Sequence, residues 1–373
     1  MLAVAALSAR ALVELAALDG QRVVALDCFG DADTVQRAAH WLPIATPGRL
    51  EIDGETLLAA LQRLALNGGV EGWIAGAGFD GRPELLQAGA ERLPLIGTAG
   101  ADLARLRDPR AFFGALDEAG IAHPELSFTP PADPAGWLRK DSGGSGGWHV
   151  QPASHDDRAA EPGCYWQRWR PGQPMSATLV ANGRDAVVLG FNRQTVRPVA
   201  GRHWVFAGIV GPLPVPPTVE RRLQHAAREI TRRFALRGLA SLDFLLDGEH
   251  AELLEANARP PASAELYPEV GAGGPLRAHL RAAIAGELPP APPLARTVHG
   301  HEIVFARHAL TLDAAAAARI AATPLARDLP RAGQHFDAGD PVCSLAAAGA
   351  DAGVVLARLA FDREALLDFL ENR

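Results

Sequence analysis

The sequence predicts an α/β unit followed by an α+β unit, and three observations carry that expectation. Strand and helix patterns alternate through residues 1–97. From residue 138 the texture changes to strands and hairpins. Two stretches, around Asn182-Gly183 and Asp247-Gly248, place turn residues between β-rich runs, the usual mark of a hairpin.

The elements follow in order. "LAVAAL" is a short apolar run, "SARALVELAALDG" reads as a Ser-capped helix ending at Gly20, and "RVVALDCF" is a buried strand. "GVEGWIAGAG" predicts a later strand, "PELLQAGAERL" a helix and "PLIG" another strand. Such alternation builds a parallel sheet with helices on its faces. "RDPRAFFGALDEAGIAHPE" predicts a helix closed by Gly120, and Pro-rich "TPPADPAG" follows it. "SATLVANGRDAVVLGF" predicts a first hairpin. Val219, Leu223, Ala226, Ile230 and Phe234 form a helical stripe, and "SLDFLLDGEHAELLEANARPP" predicts a second hairpin. "LPPAPPLA", residues 288–295, reads as a semi-rigid linker into a C-terminal α+β segment.

Composition excludes several classes. A formal charge of −7 provides no general basic face for nucleic acid or an anionic membrane. Cys28, Cys164 and Cys343 are scattered and odd in number, which fits reduced thiols in a cytoplasmic protein better than a disulfide or zinc framework. "MLAVAALSARALVELAAL" lacks a basic leading region, and Arg10 and Glu14 interrupt its apolar run, so it does not read as a signal peptide. No uninterrupted apolar stretch is long enough to span a membrane.

Two motifs match familiar patterns in the wrong context. "GAGFDG", Gly76 to Gly81, has dinucleotide-fingerprint spacing but follows a later strand and lacks the downstream acid. It reads as a glycine turn at a strand end. "GGSGG", Gly143 to Gly147, matches a nucleophile elbow around Ser145, but "WHVQP" after it reads as a strand rather than the required helix.

Among 36 basic side chains, Lys140 in "LRKDSGGSGGWHV" is the only lysine. It precludes a P-loop, because it sits between Arg139 and Asp141 rather than inside Gly-Lys-Ser/Thr. A lysine at a strand end is a compact positive charge suited to phosphate oxygens, where a rigid guanidinium fork would fit poorly. The glycines after it let backbone N–H groups approach a polyphosphate. A triphosphate needs a hard cation such as Mg²⁺, held by carboxylate and amide oxygens. Glu255 and Asn257 lie two apart on one strand face. Asp243 joins that face if the connecting loop has three or five residues; a two-residue loop would turn it away. Arg259 follows by two more positions.

These residues together resemble the ATP-grasp superfamily. The flap "KDSGGSGG" and the Asp243…"EANARPP" hairpin stand in the family's order behind a Rossmann-like leading region. The resemblance implies a Rossmann-like domain over residues 1–97, an ATP-grasp domain over 98–287 with subdomains 98–170 and 171–287 clamping ATP, and a linker plus small C-terminal segment over 288–373. That segment is expected to cover part of the cleft or an interface, as in a homodimer.

Carried over residue by residue, the resemblance gives Lys140 contact with ATP, and makes Gly143, Gly144, Ser145, Gly146 and Gly147 the flap. Asp243, Glu255 and Asn257 would hold Mg²⁺ or Mn²⁺, and Arg259 would steady the transferring phosphate. "YWQRW" resembles the adenine hinge, with Gln167, Arg168 and Trp169 as contacts and Gln167 where the family often has an acid. The family's earlier lysine would be replaced by Arg105, Arg107 or Arg110. Ser241 stands where many members have a substrate-binding arginine, which leaves that task to Arg193 or Arg197.

The resemblance implies an ATP-dependent ligase acting on small-molecule acid and amine substrates. A carboxylate attacks the γ-phosphate to give an acyl phosphate and ADP, and an amine displaces phosphate to form an amide. Positioning and charge neutralisation do most of such work, and His149 or His203 could take the amine proton. "RKDSGGSGGWHV", "QRWRPGQP" and "LPRAGQHFDAGDPVCSLAA" also resemble a branch containing tyramine–glutamate ligases of methanofuran-type one-carbon cofactor biosynthesis. That branch implies glutamate as the acid, which arginines such as Arg168, Arg170, Arg193 and Arg197 would suit. The same scaffold also supports a small-molecule kinase or a non-catalytic nucleotide-binding module.

Overall fold

The structure, a computed structural model, describes residues 1–157, 163–292 and 297–372. The leading region is a four-stranded parallel sheet in which Leu2–Ala5 lies between Val23–Asp27 and Trp73–Ala75, with His40–Pro43 on the outer side of Val23–Asp27. Leu2–Ala5 and Val23–Asp27 are buried throughout, as strands covered by helices on both faces must be. "PLIG" contributes a single bridge, Leu95 to Trp73, rather than a full strand.

The first helix, Arg10–Leu18, is capped differently from the sequence expectation. Ala9 is its N-cap, and the Ala9 N–H donates to the Asp27 carboxylate at 3.2 Å. The Ser8 hydroxyl instead donates to Asp328, far along the chain. Asp27 thus engages the N–H of the N-cap residue itself, and no side chain caps the N–H groups of the first turn. The helix Pro109–Glu118 ends as expected, with Gly120 at φ +65°.

A large eight-stranded sheet forms the centre of the molecule. Gln173–Asn182 pairs with Ala186–Val199 to make the first hairpin, and Arg202–Leu213 continues the meander. Arg237–Asp247 and His250–Asn257 form the second hairpin, packed on the other side of Gln173–Asn182. The helix Pro217–Phe234 covers this sheet with its stripe of Val219, Leu223, Ala226, Ile230 and Phe234, all buried.

The C-terminal segment does not stand apart. Val298–Phe305 pairs with Arg202–Leu213, and Pro341–Gly349 pairs with Val298–Phe305, so both extend the large sheet. The helix Ala352–Glu371 buries Val355, Leu359, Leu366 and Leu367 against them. Positions 293–295 of the Pro-rich linker lie outside the described residues. No helix among the described residues is long and apolar enough to cross a membrane.

A small antiparallel sheet carries the flap, with Trp137–Asp141 paired to Cys164–Arg168 and to the short strand Gln151–Pro152. The expected strand through "WHVQP" is confined to Gln151–Pro152, and Trp148 and His149 sit in a turn. Gly146 and Gly147 before them have φ of +63° and +78°, which break an extended run.

Candidate active site

One cavity of about 680 Å³ lies among the leading sheet, the flap sheet and the large sheet. Its wall includes Lys140, Gln167, Asp243, Glu255, Asn257 and Arg259. Residues more than a hundred positions apart in sequence thus meet on one surface.

Lys140 is 9% exposed, and its Nζ donates to Gln167 Oε1 at 2.6 Å. The register explains the meeting. Leu138 stands opposite Gln167 and Lys140 opposite Tyr165, so the lysine and the glutamine share a face of the flap sheet. Burial lowers the lysine's pKa, while Glu255 and Asp243 oppose that shift. Gln167 is 1% exposed, and its Nε2 has no hydrogen-bond partner among the described residues. A buried donor left unpaired costs free energy, so it marks a place for an acceptor from outside the protein. Trp169, 50% exposed, and Arg168, stacked on Trp137, complete this side of the wall.

The second hairpin solves the parity problem of Asp243 in an unexpected way. Asp247 pairs with His250, so the loop has only two residues, Gly248 and Glu249. In a regular ladder that loop would put Leu254 opposite Asp243 and turn the carboxylate away from Glu255. A β-bulge between Asp243 and Phe244 shifts the register by one, so Asp243 pairs with Glu255 and Ser241 with Asn257. Asn257 Nδ2 then lies 3.4 Å from Asp243 Oδ2, 3.3 Å from Glu255 Oε1 and 3.5 Å from Ser241 Oγ.

The two carboxylates have different electrostatic surroundings. Burial and the adjacent Glu255 push Asp243 up, to about 7. Burial alone would also raise Glu255, but Arg107, His149 and Lys140 hold it below the ordinary carboxylate range. Two carboxylates and an amide are hard oxygen ligands, the donor chemistry that Mg²⁺ or Mn²⁺ requires alongside phosphate oxygens. Among the described residues no group of three or more His, Cys, Asp or Glu side chains is placed to hold a metal ion.

The flap is held down from two sides. Arg107 Nε donates to Ser142 O at 2.6 Å and its Nη2 to Gly144 O at 2.5 Å, while Nη1 lies 4.0 Å from Glu255. Phe206 N donates to Gly146 O at 2.9 Å. A Cβ at Gly147 would come within 1.8 Å of Trp204 O, so the protein's own backbone already demands that glycine. Ser145, Gly146, Gly147 and His149 line the cavity. Gly143 and Gly144 do not; the first packs by Gly81 and the second against the His149 ring.

Of the three arginines considered for the earlier lysine, only Arg107 reaches the flap. Arg105 bonds Asp102 and Arg233 O, and Arg110 sits over the Phe128 ring. The substrate arginines do not gather as expected. Arg193 is exposed and outside the cavity wall, while Arg197 is bound to Glu302. Alternation along Ala186–Val199 presents Gln194 and Val196 to the cavity instead. Arg170 does line the cavity, and there it is paired with Glu252. Arg259 lines the cavity but its Nε is bound to Asp80 at 2.9 Å, inside the glycine turn "GAGFDG". That turn therefore has a site role that its dinucleotide-like spacing does not describe. His203 is exposed at the cavity rim, whereas His149 is half-buried, with its Nδ1 atom buried and unpartnered.

Sequence reasoning did not single out Arg10, Glu265, His301 or Asp328, which line the same cavity. They come from four separate segments of the chain, and no local pattern connects them.

The comparisons agree with this geometry. Residues 107–263 match the family model of the ATP-grasp domain, and this part of the chain is an ATP-grasp domain. Biotin carboxylase from Campylobacter jejuni, solved with β,γ-ATP, superimposes with a TM-score of 0.71 at 12% identity, over 99% of this chain and 95% of that one. The biotin carboxylase domain of 2-oxoglutarate carboxylase from Hydrogenobacter thermophilus, solved with MgADP and bicarbonate, gives 0.71 at 12% identity over 99% and 93%. L-amino acid ligase from Bacillus licheniformis gives 0.70 at 13% identity over 97% and 96%. The whole chain therefore has the ATP-grasp fold. No curated protein matches the sequence.

Proposed function

We propose that this protein is an ATP-dependent carboxylate–amine ligase that forms an amide bond through an acyl phosphate. The observation that carries the reading is the meeting, in one cavity wall, of the Lys140–Gln167 pair with the Asp243–Glu255–Asn257 cluster. In this reading residues 1–97 are the leading domain, 98–287 the ATP-grasp domain with its two subdomains, and 288–373 the appended segment. Cys28, Cys164 and Cys343, scattered and in no disulfide among the described residues, fit a cytoplasmic enzyme.

Lys140 Nζ and the unpaired Gln167 Nε2 are the donors for the nucleotide, beside Trp169, whose ring is available for stacking. Asp243, Glu255 and Asn257 would hold Mg²⁺ or Mn²⁺, which when bound neutralises phosphate charge. Arg107 fixes the flap through two backbone carbonyls and lends Glu255 positive charge. Arg259, oriented by Asp80, faces the reacting end. His149, kept mostly neutral by burial, is the group suited to accept the amine proton. The acid we assign is glutamate, joined to an amine in cofactor biosynthesis, a choice supported by the sequence resemblance alone.

ADP release from Mg-ATP, screened over small carboxylic acids with and without amines, tests the reading. Amine-dependent ADP and phosphate that disappear in Lys140→Ala support the ligase. ADP formed without any amine requirement, with a phosphorylated hydroxyl as product, would instead establish a kinase. Nucleotide binding without turnover would establish a binding module.

A further inference from the structure

We propose that the part of the cavity built around Arg10 is a subsite for an organic cation, an ammonium group on an apolar body. It rests on the ligase reading only in taking this cation to be the amine co-substrate.

The argument begins with donors. A guanidinium has five N–H bonds. Arg10, 6% exposed, directs Nε to Asp328, Nη1 to Glu14 and Glu265, and Nη2 to Glu265 and Asp328. All five N–H groups are engaged by carboxylates of its own protein. The Ser8 hydroxyl also donates to Asp328, and Ser344 is hydrogen-bonded to the same carboxylate. An anion arriving here would find the arginine's donors already occupied.

Acceptors are in surplus at the same place. Glu265 and Asp328 both line the cavity, two carboxylates against the single guanidinium of Arg10. Arg10 holds both below the ordinary carboxylate range despite their burial, so both are ionised at neutral pH. Arg37 and Arg327 do not line the cavity; they are bound to Glu14 behind it.

A second, independent observation is His301. Its side chain lines the cavity and the residue is only 7% exposed, yet its ring makes no hydrogen bond or ion pair among the described residues. Burial lowers its pKa, so the ring is neutral and offers a nitrogen lone pair. Leu12, Phe29, Phe206 and Ile303 supply apolar wall around these acceptors. Charged acceptors set in an apolar wall fit an ammonium carried on a hydrophobic body, and they oppose a second carboxylate.

Calorimetric titration of the full chain with benzylamine, benzyl alcohol and benzoate at neutral pH tests this, because the three share one body and differ in charge. Benzylamine is expected to bind about tenfold or more tightly than benzyl alcohol, with benzoate weakest. Glu265→Gln should erase that preference, and Mg-ATP titration of the variant reports whether it is folded. The wild-type series decides even if the variant does not fold. Equal binding of amine and alcohol, tighter binding of benzoate, or no benzylamine binding at millimolar concentration overturns the proposal. Selective benzylamine binding by a protein that does not bind Mg-ATP would leave the cation subsite standing and remove the ligase reading.

Discussion

Lys140 and Arg10 are both buried cations in the wall of one cavity, yet their surroundings suit opposite ligands. Lys140 makes one side-chain hydrogen bond, to a neutral amide, and the neighbouring Gln167 Nε2 is left without a partner. Arg10 has every N–H directed at a carboxylate. The sign of a residue does not decide what its site takes; the donors and acceptors left over after folding do. The first surroundings suit phosphate oxygens, and the second suit an ammonium.

The comparison breaks most completely at the bulge. Replacing both carboxylates that the bulge brings opposite each other, as in the double variant Asp243→Asn/Glu255→Gln, leaves the ladder in register and removes the negative charge of the cluster. Turnover should fall by at least about 10³-fold, the scale for loss of electrostatic stabilisation, while far-UV circular dichroism stays close to wild type. Asp243→Asn, which removes one carboxylate and keeps the register, should cost roughly 10²-fold in kcat, measured by ADP release.

Lys140→Arg sharpens the contrast between the two cations. A planar guanidinium fork cannot reproduce the compact ammonium that donates to Gln167 Oε1, so Mg-ATP affinity in calorimetry should drop about tenfold or more despite the retained charge. An unchanged affinity would mean that charge alone matters at this position. Arg107→Met should have a smaller effect, because it loosens the flap rather than the ligand contacts. A several-fold rise in KM for ATP with faster proteolysis within residues 142–149 is expected.

The smallest effect concerns pH. Asp243 is raised to about 7 from an ordinary 3.8, so between those values the folded protein holds a proton that the unfolded chain has lost. Without divalent cation, stability therefore falls as pH rises from about 4 to 7, following proton linkage. Asp243→Asn removes that penalty, and its Tm at pH 8 should exceed wild type by a few degrees, with the gap closing by pH 5. Added Mg²⁺ should stabilise the wild type and not the variant.

Much of this protein was legible in the chain itself. Alternating apolar runs determined the parallel leading sheet, because burial on both faces leaves strands continuously hydrophobic. The stripe from Val219 to Phe234 determined a helix, and Asn182-Gly183 a hairpin. A single lysine before glycines, and Glu255, Asn257 and Arg259 at alternate positions, marked the candidate site, because those signals depend only on local periodicity and residue chemistry. Tertiary structure decided the rest. The bulge that returns Asp243 to its face depends on ladder registry, and the choice of Arg107 over Arg105 and Arg110 depends on how a helix meets the flap. Arg193 and Arg197 were lost to the site because strand phase and Glu302 claimed them. The Arg10 subsite joins residues up to 318 positions apart, and no local pattern can carry a relation that only chain packing creates.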